Sequence, residues 1–297
     1  MTESALLSEL EPVAARLLER HMATTKEWFP HEVATPRPDD AAPDFDGTPG
    51  ARSAFLINLL TEDNLPAYFL GLTSFTSADG AWGEWSRRWT AEEGRHAIAL
   101  RSWVTATGAI DPFMLERSRM HLVSTRWDGA PTSLLDGLAY TSAQELATRV
   151  AHRNAGAAAG GTGERVFNQV AADENLHFLF YRDAASEALD RWPDEMMAAI
   201  SRRVIGFQMP GTGIIDFDHH ARAVASAGIF DVGVMYDNVL VPLLLRHWKL
   251  ADRFLPPDAD KARCSVLDHL ARMKRVRDRI VSRREERTKE TALATSR

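Results

Sequence analysis

The chain has 297 residues, of which 45% are hydrophobic and 26% charged, so it holds enough apolar material for a core. A formal net charge of −6 argues against a general nucleic-acid binder, and the single Cys264 excludes an internal disulfide. The first residues include acids and a proline instead of a basic and then an apolar region, and no apolar run approaches the roughly 20 residues of a membrane span. We therefore expect a soluble, cytoplasmic protein without a membrane span.

Apolar residues recur with helical periodicity along most of the chain, and no alternating strand pattern bounded by hairpin turns occurs. The periodicity predicts helices at about 3–22, 50–76, 79–107, 111–124, 131–157, 162–191, 193–207, 217–228, 231–253 and 257–290. We expect one helical domain over 1–297, with a disordered tail at 291–297. The basic segment 271–290 is interpreted as a solvated helix with local ion pairs, or alternatively as a docking surface for an acidic partner.

Two short stretches carry a glutamate followed three residues later by a histidine. They are WTAEEGRH, with Glu93 and His96, and ADENLH, with Glu174 and His177. On a helix this spacing places both side chains on one face. One such pair is no more than a charged helix face or a histidine satisfied within the core.

A single glutamate precedes each pair by about one helical hairpin. Glu62 lies 31 residues before Glu93, and Glu145 lies 29 residues before Glu174. This separation suits two antiparallel helices joined by a short loop, and the unit occurs twice. Four buried carboxylates require compensating charge, which two metal ions supply. Oxygen-rich ligands with two histidines and no cysteine favour iron or manganese, so we expect an all-α, ferritin-like four-helix bundle with flanking helices.

These motifs resemble a known family. TEDNLPAYF, WTAEEGRH, YTSAQELAT and AADENLH are similar to TEEALPTY, WTAEENRH, YTSFQERAT and AADEKRH of the soluble acyl-(acyl carrier protein) desaturases of plants and actinobacteria. The resemblance runs from about residue 20 to about residue 290. It implies six metal ligands, namely Glu62, Glu93, His96, Glu145, Glu174 and His177. The chain departs from the pattern at Gly94, where the family has asparagine, and at Leu176, where it has arginine.

The resemblance implies the oxygen-dependent introduction of a cis double bond into a saturated fatty acyl chain on acyl carrier protein. It further implies two iron ions per chain, O2 as co-substrate, a ferredoxin-type electron donor and a homodimer. Two alternatives stay open at this point. One is a di-iron hydroxylase or a desaturase of a specialised carrier-bound substrate, and the other is a non-catalytic iron-binding bundle.

Several further residues have candidate roles. Asp173 resembles the family residue that hydrogen-bonds a ligand histidine and links to a tryptophan, for which Trp89 and Trp28 are candidates unless they only pack in the core. Thr148 could supply a proton near the oxygen site or bond back to its own helix. Arg95 is expected to pair with a carboxylate near the ligands.

Other polar residues are expected to lie outside the site. Glu92 points about 100° away from Glu93 around the helix and is not expected to be a ligand. The Asp-His-His run at 218–220 is assigned to the surface or an interface. An acidic carrier protein requires a basic patch, and the candidates are Arg16, Arg20, Lys26, Arg87, Arg88 and the cluster at 274–289.

Overall fold

The computed structural model describes residues 2–36, 47–125 and 129–295. Within these ranges the secondary structure is helical and no strand occurs. The helices are α1 (Glu3–Thr24), α2 (Pro30–Ala34), α3 (Pro49–Asp63), α4 (Leu65–Thr73), α5 (Gly80–Thr107), α6 (Pro112–Ser124), α7 (Leu134–Ala159), α8 (Gly161–Arg191), α9 (Pro193–Ile205), α10 (Phe217–Ser226), α11 (Val232–Val234), which continues as a π-helix (Met235–His247), and α12 (Pro257–Thr295). No helix in the described ranges is long and apolar enough to cross a bilayer.

The helices differ from the sequence prediction in several places. The helix expected over 50–76 is broken at Asn64, because Pro66 has no N–H to continue the hydrogen-bond ladder of α3 into α4. The short helix α2 was not predicted. Helix α12 extends through Thr295, beyond the helix end predicted at residue 290. Residues 296–297 lie outside the described ranges.

Helices α3, α5, α7 and α8 form the central bundle. Helices α7 and α8 are joined at Gly160, whose φ of +67° suits a residue without a side chain, and they pack along their length. Helix α3 packs against α5 and α7, and α5 also packs against α8. The two predicted helical hairpins therefore lie against each other.

Two apolar cores lie at opposite ends of this bundle. One contains Trp82, Trp85 and Phe180, and the other contains Phe55 and Phe167. Between them, the middle of each long helix carries buried polar residues instead of apolar ones. Because buried polar groups need partners, this layer is where a site is expected.

Candidate metal centre

The six predicted ligands lie together in the polar layer. Glu62 is in the last turn of α3, and Glu145 is near the middle of α7. Helix α5 supplies one Glu-x-x-His pair and α8 supplies the other. The exposed fraction is 7% for Glu93 and smaller for the other five residues, so the whole set is withdrawn from water.

The ligand atoms form two groups that share two glutamates. Glu62, Glu93, His96 and Glu174 form one group, and Glu93, Glu145, Glu174 and His177 form the other; within each, the atoms lie within 4.8 Å of one another. The histidines face the carboxylates with the same nitrogen. His96 Nδ1 lies 3.4 Å from Glu174 Oε1, and His177 Nδ1 lies 3.0 Å from Glu93 Oε1. Two metal ions could be held here, one by each group, with Glu93 and Glu174 available to both.

Four of these ligand atoms are buried without a hydrogen-bond partner among the described residues. They are Glu62 Oε2, His96 Nδ1, Glu145 Oε2 and His177 Nδ1. A buried polar atom without a partner is costly, and such atoms are rare in folded proteins. All four belong to the two groups and point at other ligand atoms. The residues present therefore fit a pair of metal cations.

The pKa values show how the metal-free cluster carries its charge. Burial alone would lower the pKa of His96 and of His177, but hydrogen bonds to the surrounding carboxylates raise both well above the usual range. Burial and the charge of Glu174 raise the pKa of Glu145 well above the ordinary value. Despite burial, hydrogen bonds from His152 and His96 lower the pKa of Glu62 to about 2. Protons on the imidazoles thus compensate the carboxylates where metal ions would do so.

Asp173 holds the outer nitrogen of one ligand histidine. Its Oδ2 lies 3.2 Å from His96 Nε2 and accepts hydrogen bonds from Trp28 Nε1 at 2.9 Å and Arg95 Nη2 at 2.5 Å. The expected pairing of Arg95 with a carboxylate is therefore present. Of the two candidate tryptophans, Trp28 makes the link, whereas Trp89 faces α7 and does not contact Asp173.

Glu92 plays the same part for the other ligand histidine. Its Oε2 lies 3.0 Å from His177 Nε2 and 3.0 Å from His21 Nε2, and its Oε1 lies 2.5 Å from Arg88 Nη2. Burial would raise the pKa of Glu92, but the hydrogen bonds from His177 and His21 hold it well below its usual range. Glu92 lies outside both ligand groups, as expected, yet it is buried and belongs to the site. The signal for it was a carboxylate directly before the glutamate of each Glu-x-x-His pair, Glu92 before Glu93 and Asp173 before Glu174.

Three further contacts hold the ligand carboxylates. Trp89 Nε1 donates to Glu145 Oε1 at 3.1 Å, and Thr148 Oγ1 donates to Glu174 Oε2 at 2.7 Å. The Thr148 hydroxyl also lies 3.1 Å from the carbonyl oxygens of Gln144 and Glu145, so both contacts considered for it are available. His152 Nε2 lies 2.8 Å from Glu62 Oε1 and was not predicted, although its position two turns after Glu145 on α7 places it on the same face.

Comparisons with known proteins agree with this geometry. The family model described as fatty acid desaturase matches residues 2–296. The chain belongs to this family. DesA1 of Mycobacterium tuberculosis, provisionally named an acyl-(acyl carrier protein) desaturase, is 37% identical over 273 residues, covering 85% of this chain and 80% of DesA1. The chloroplastic stearoyl-(acyl carrier protein) 9-desaturase 1 of Oryza sativa subsp. indica is 30% identical over 285 residues, 88% of this chain and 72% of the rice protein.

A solved structure shares the fold. The X-ray structure of DesA2 from Mycobacterium tuberculosis H37Rv, also provisionally named an acyl-(acyl carrier protein) desaturase, superimposes with a TM-score of 0.66 at 26% identity, covering 87% of this chain and 99% of that chain. The all-α, ferritin-like architecture expected from the sequence is therefore confirmed.

Two largely apolar cavities adjoin the ligand cluster of this desaturase-family chain. The first is lined by Glu62, Glu93 and Trp89 together with apolar residues that include Leu72 and Phe75. The second cavity reaches Thr148, and its walls are mainly apolar side chains on and near α3, α7 and α10. These apolar residues include Ala54, Ile57, Ala151, Met209, Phe217, Val224, Ile229 and Phe230. Thr61, one residue before the ligand Glu62, lines both cavities. The first cavity is therefore lined by two of the predicted ligands, and the second reaches the predicted ligand Glu174 through Thr148.

In the described ranges, the partners of the remaining sequence candidates lie outside the two ligand groups. In the run 218–220, which belongs to neither ligand group, His220 Nδ1 lies 3.0 Å from Ser53 Oγ. Three candidate docking arginines engage their own chain: Arg16 pairs with Glu187, Arg20 pairs with Asp183, and Arg87 donates to the Ala78 carbonyl. Arg88 was expected at a docking surface, but its guanidinium turns inward to Glu92. The basic helix α12 is largely exposed, and its ion pairs include Lys274 with Asp278.

Proposed function

We propose that this chain is an oxygen-dependent desaturase that introduces a cis double bond into a saturated fatty acyl chain carried on acyl carrier protein. The observation that carries this proposal is the pair of four-ligand groups sharing Glu93 and Glu174, with one apolar cavity lined by Glu62 and Glu93 and a second that reaches Thr148. The names of the relatives support acyl carrier protein as the carrier. An iron-storing or structural bundle would not need apolar cavities against its ligands.

The six ligands would hold two iron ions. Glu62 and His96 would bind one ion, Glu145 and His177 the other, and Glu93 and Glu174 would bridge them. Carboxylate and imidazole ligands without thiolate suit iron or manganese. When bound, the ions would supply the reduction of O2 and the oxidising power needed to remove hydrogen from an unactivated methylene.

The overall reaction fixes what the protein must bring together. Two adjacent methylenes lose one hydrogen each, O2 is reduced to two waters, and two electrons and two protons come from outside. We propose a ferredoxin-type electron donor. Trp28, Asp173 and His96 form a continuous hydrogen-bonded path from the segment before α2 to the ligand cluster, and they are the proposed route for these electrons.

Two side chains are proposed to serve the chemistry directly. Thr148 lines the second cavity and donates to Glu174 Oε2, so its hydroxyl stands between the substrate space and a shared ligand, where it can hold or pass a proton. Trp89 lines the first cavity and fixes one oxygen of Glu145 through its indole N–H. Both groups are therefore positioned to keep the ligand carboxylates in one orientation while the substrate is bound.

The acyl chain is proposed to occupy the two cavities and to pass the ligands beside Thr61. An unactivated methylene offers no charge to bind, so its position has to be set by the shape of apolar walls. Chain length and double-bond position would then depend on how far the cavities extend on either side of the ligands. A homodimer is proposed as well, from the family resemblance.

The test is turnover with defined substrates. The purified protein, loaded anaerobically with ferrous iron, is given reduced ferredoxin, O2 and acyl carrier proteins with saturated chains of several lengths. Mass spectrometry should show a product two mass units lighter, and Glu93→Gln should abolish it. A product 16 units heavier would instead establish a hydroxylase. The absence of any product from a protein that binds two irons per chain would refute the proposal.

A further inference from the structure

The two halves of the centre are related by an approximate twofold pattern in sequence and in space. Each ligand histidine directs its Nε2 at a carboxylate from the opposite helix, one residue before the glutamate ligand of that helix. His96 on α5 contacts Asp173 of α8 at 3.2 Å, and His177 on α8 contacts Glu92 of α5 at 3.0 Å. The outer carboxylates therefore correspond to each other.

The counter-charges of these two carboxylates do not correspond. Asp173 pairs with Arg95, which lies two residues after the ligand Glu93. The corresponding position after Glu174 is Leu176, which carries no charge. By symmetry alone, Glu92 would have no close cation of its own, since Arg95 lies 3.9 Å from Glu92 Oε1 but 2.5 Å from Asp173 Oδ2.

Glu92 receives its cation from elsewhere. Arg88 lies four residues earlier on α5, and its Nη2 is 2.5 Å from Glu92 Oε1. The buried His21 of α1 lies 3.0 Å from Glu92 Oε2 and packs edge-on against Trp85 at a ring distance of 5.1 Å. The position on α8 that corresponds to Arg88 is Gln169, which is uncharged. The two halves thus neutralise equivalent carboxylates with residues from different positions.

We propose that Arg88 and His21 are positioning residues that hold Glu92 on His177, and that Arg88 supplies the counter-charge absent at Leu176. The inference rests on the proposed metal centre. A buried carboxylate that loses its close arginine is disfavoured in place, because the other arginine, Arg95, lies 3.9 Å from Glu92 and pairs with Asp173 at 2.5 Å. If Glu92 turns away, His177 Nε2 loses the partner that orients the ring for a metal ion. The position that contains Glu62 and His96 does not depend on this contact.

The test isolates each metal position before Arg88 is changed. In a Glu62→Gln background only the position with His177 keeps its full ligand set, and in a Glu145→Gln background only the position with His96 does. Each background is combined with Arg88→Gln or with the control Arg87→Gln, whose parent side chain donates to a backbone carbonyl. Co2+ binding to the metal-free proteins is followed by calorimetry and by the visible spectrum of the bound ion.

Arg88→Gln should weaken Co2+ binding about 10- to 100-fold in the Glu62→Gln background, as is typical when an outer partner of a ligand is lost. In the Glu145→Gln background its effect should stay below about 3-fold, because His96 is held by Asp173. Arg88→Lys should retain much of the affinity. Adding Leu176→Arg to Arg88→Gln should restore it at least in part. His21→Gln should weaken the same position and provides a second variant if Arg88→Gln folds poorly.

Equal weakening in both backgrounds, or the same effect from Arg87→Gln, would show a general structural role and overturn the proposal. So would unchanged affinity in the Glu62→Gln background. Failure of the unsubstituted protein to bind two ions is a different result, because it would refute the metal centre itself and the proposed function with it.

Discussion

Glu62 and Glu145 each belong to one ligand group, so substituting either should remove one metal ion and spare the other. Glutamine at 145 keeps the size of the side chain and an oxygen that can accept from Trp89 Nε1, at present 3.1 Å from the carboxylate. Burial and the charge of Glu174 raise the pKa of Glu145, so a neutral amide at this position suits the metal-free protein. We therefore expect Glu145→Gln to fold normally, with a melting temperature within a few degrees of the parent.

The effect on metal binding should be much larger. Loss of an outer partner of a metal ligand typically lowers metal affinity about 10- to 100-fold. Loss of a charged ligand should lower the affinity more than about 100-fold, which corresponds to more than about 2.7 kcal/mol of binding free energy. After anaerobic loading and desalting, elemental analysis should find about two irons per parent chain and about one in Glu145→Gln or Glu62→Gln. Glu93→Gln should weaken both positions because Glu93 belongs to both groups.

The matched control is Glu84→Gln, an exposed substitution on the same helix as Glu93. It should leave both ions bound. The ligand assignment would be refuted if Glu145→Gln retained two ions, or if it lost both while circular dichroism showed an intact fold.

Two further predictions concern protons and packing. Because the pKa values of His96 and His177 are raised in the metal-free protein, their protons stabilise it at low pH, and this contribution is lost as the pH rises through the raised values. Metal affinity should therefore increase with pH, and metal binding should release protons. Calorimetry in buffers of different ionisation enthalpy measures this proton release. A binding enthalpy independent of buffer would contradict this. A Cβ at Gly137 would lie 2.3 Å from the ring of Phe75, which lines the first cavity. Because of this overpacking, Gly137→Ala should lower the free energy of unfolding by about 1–3 kcal/mol and shorten the accepted acyl chain. Phe75→Leu should relieve both effects. Unchanged thermal unfolding and unchanged chain-length preference would count against that view of the cavity.

The ligand set could be predicted because its signals are residue spacings within short stretches of the sequence. Glu93 and His96 share a helix face through their spacing alone, and the interval from Glu62 to Glu93 matches one helical hairpin. The break at Asn64 also had a local signal in Pro66, but continuous apolar periodicity across it outweighed that signal in the prediction.

The outer contacts depended on tertiary packing and were only partly predictable. His21 reaches Glu92 because α1 packs across α5 and α8, and no spacing within α1 indicates that approach. The sequence favoured Trp89 over Trp28 as the partner of Asp173, and only the path of the segment between α1 and α2 places Trp28 on Asp173. Arg88 was a candidate for a basic patch that meets an acidic carrier protein, and only the folded structure shows its contact with the buried Glu92.

The most direct test of the central claim is anomalous diffraction at the iron edge from crystals loaded anaerobically with ferrous iron. The account predicts two iron peaks per chain, one beside Glu62 and His96 and the other beside Glu145 and His177, with Glu93 and Glu174 contacting both. A single peak, or iron bound away from these side chains, would contradict it.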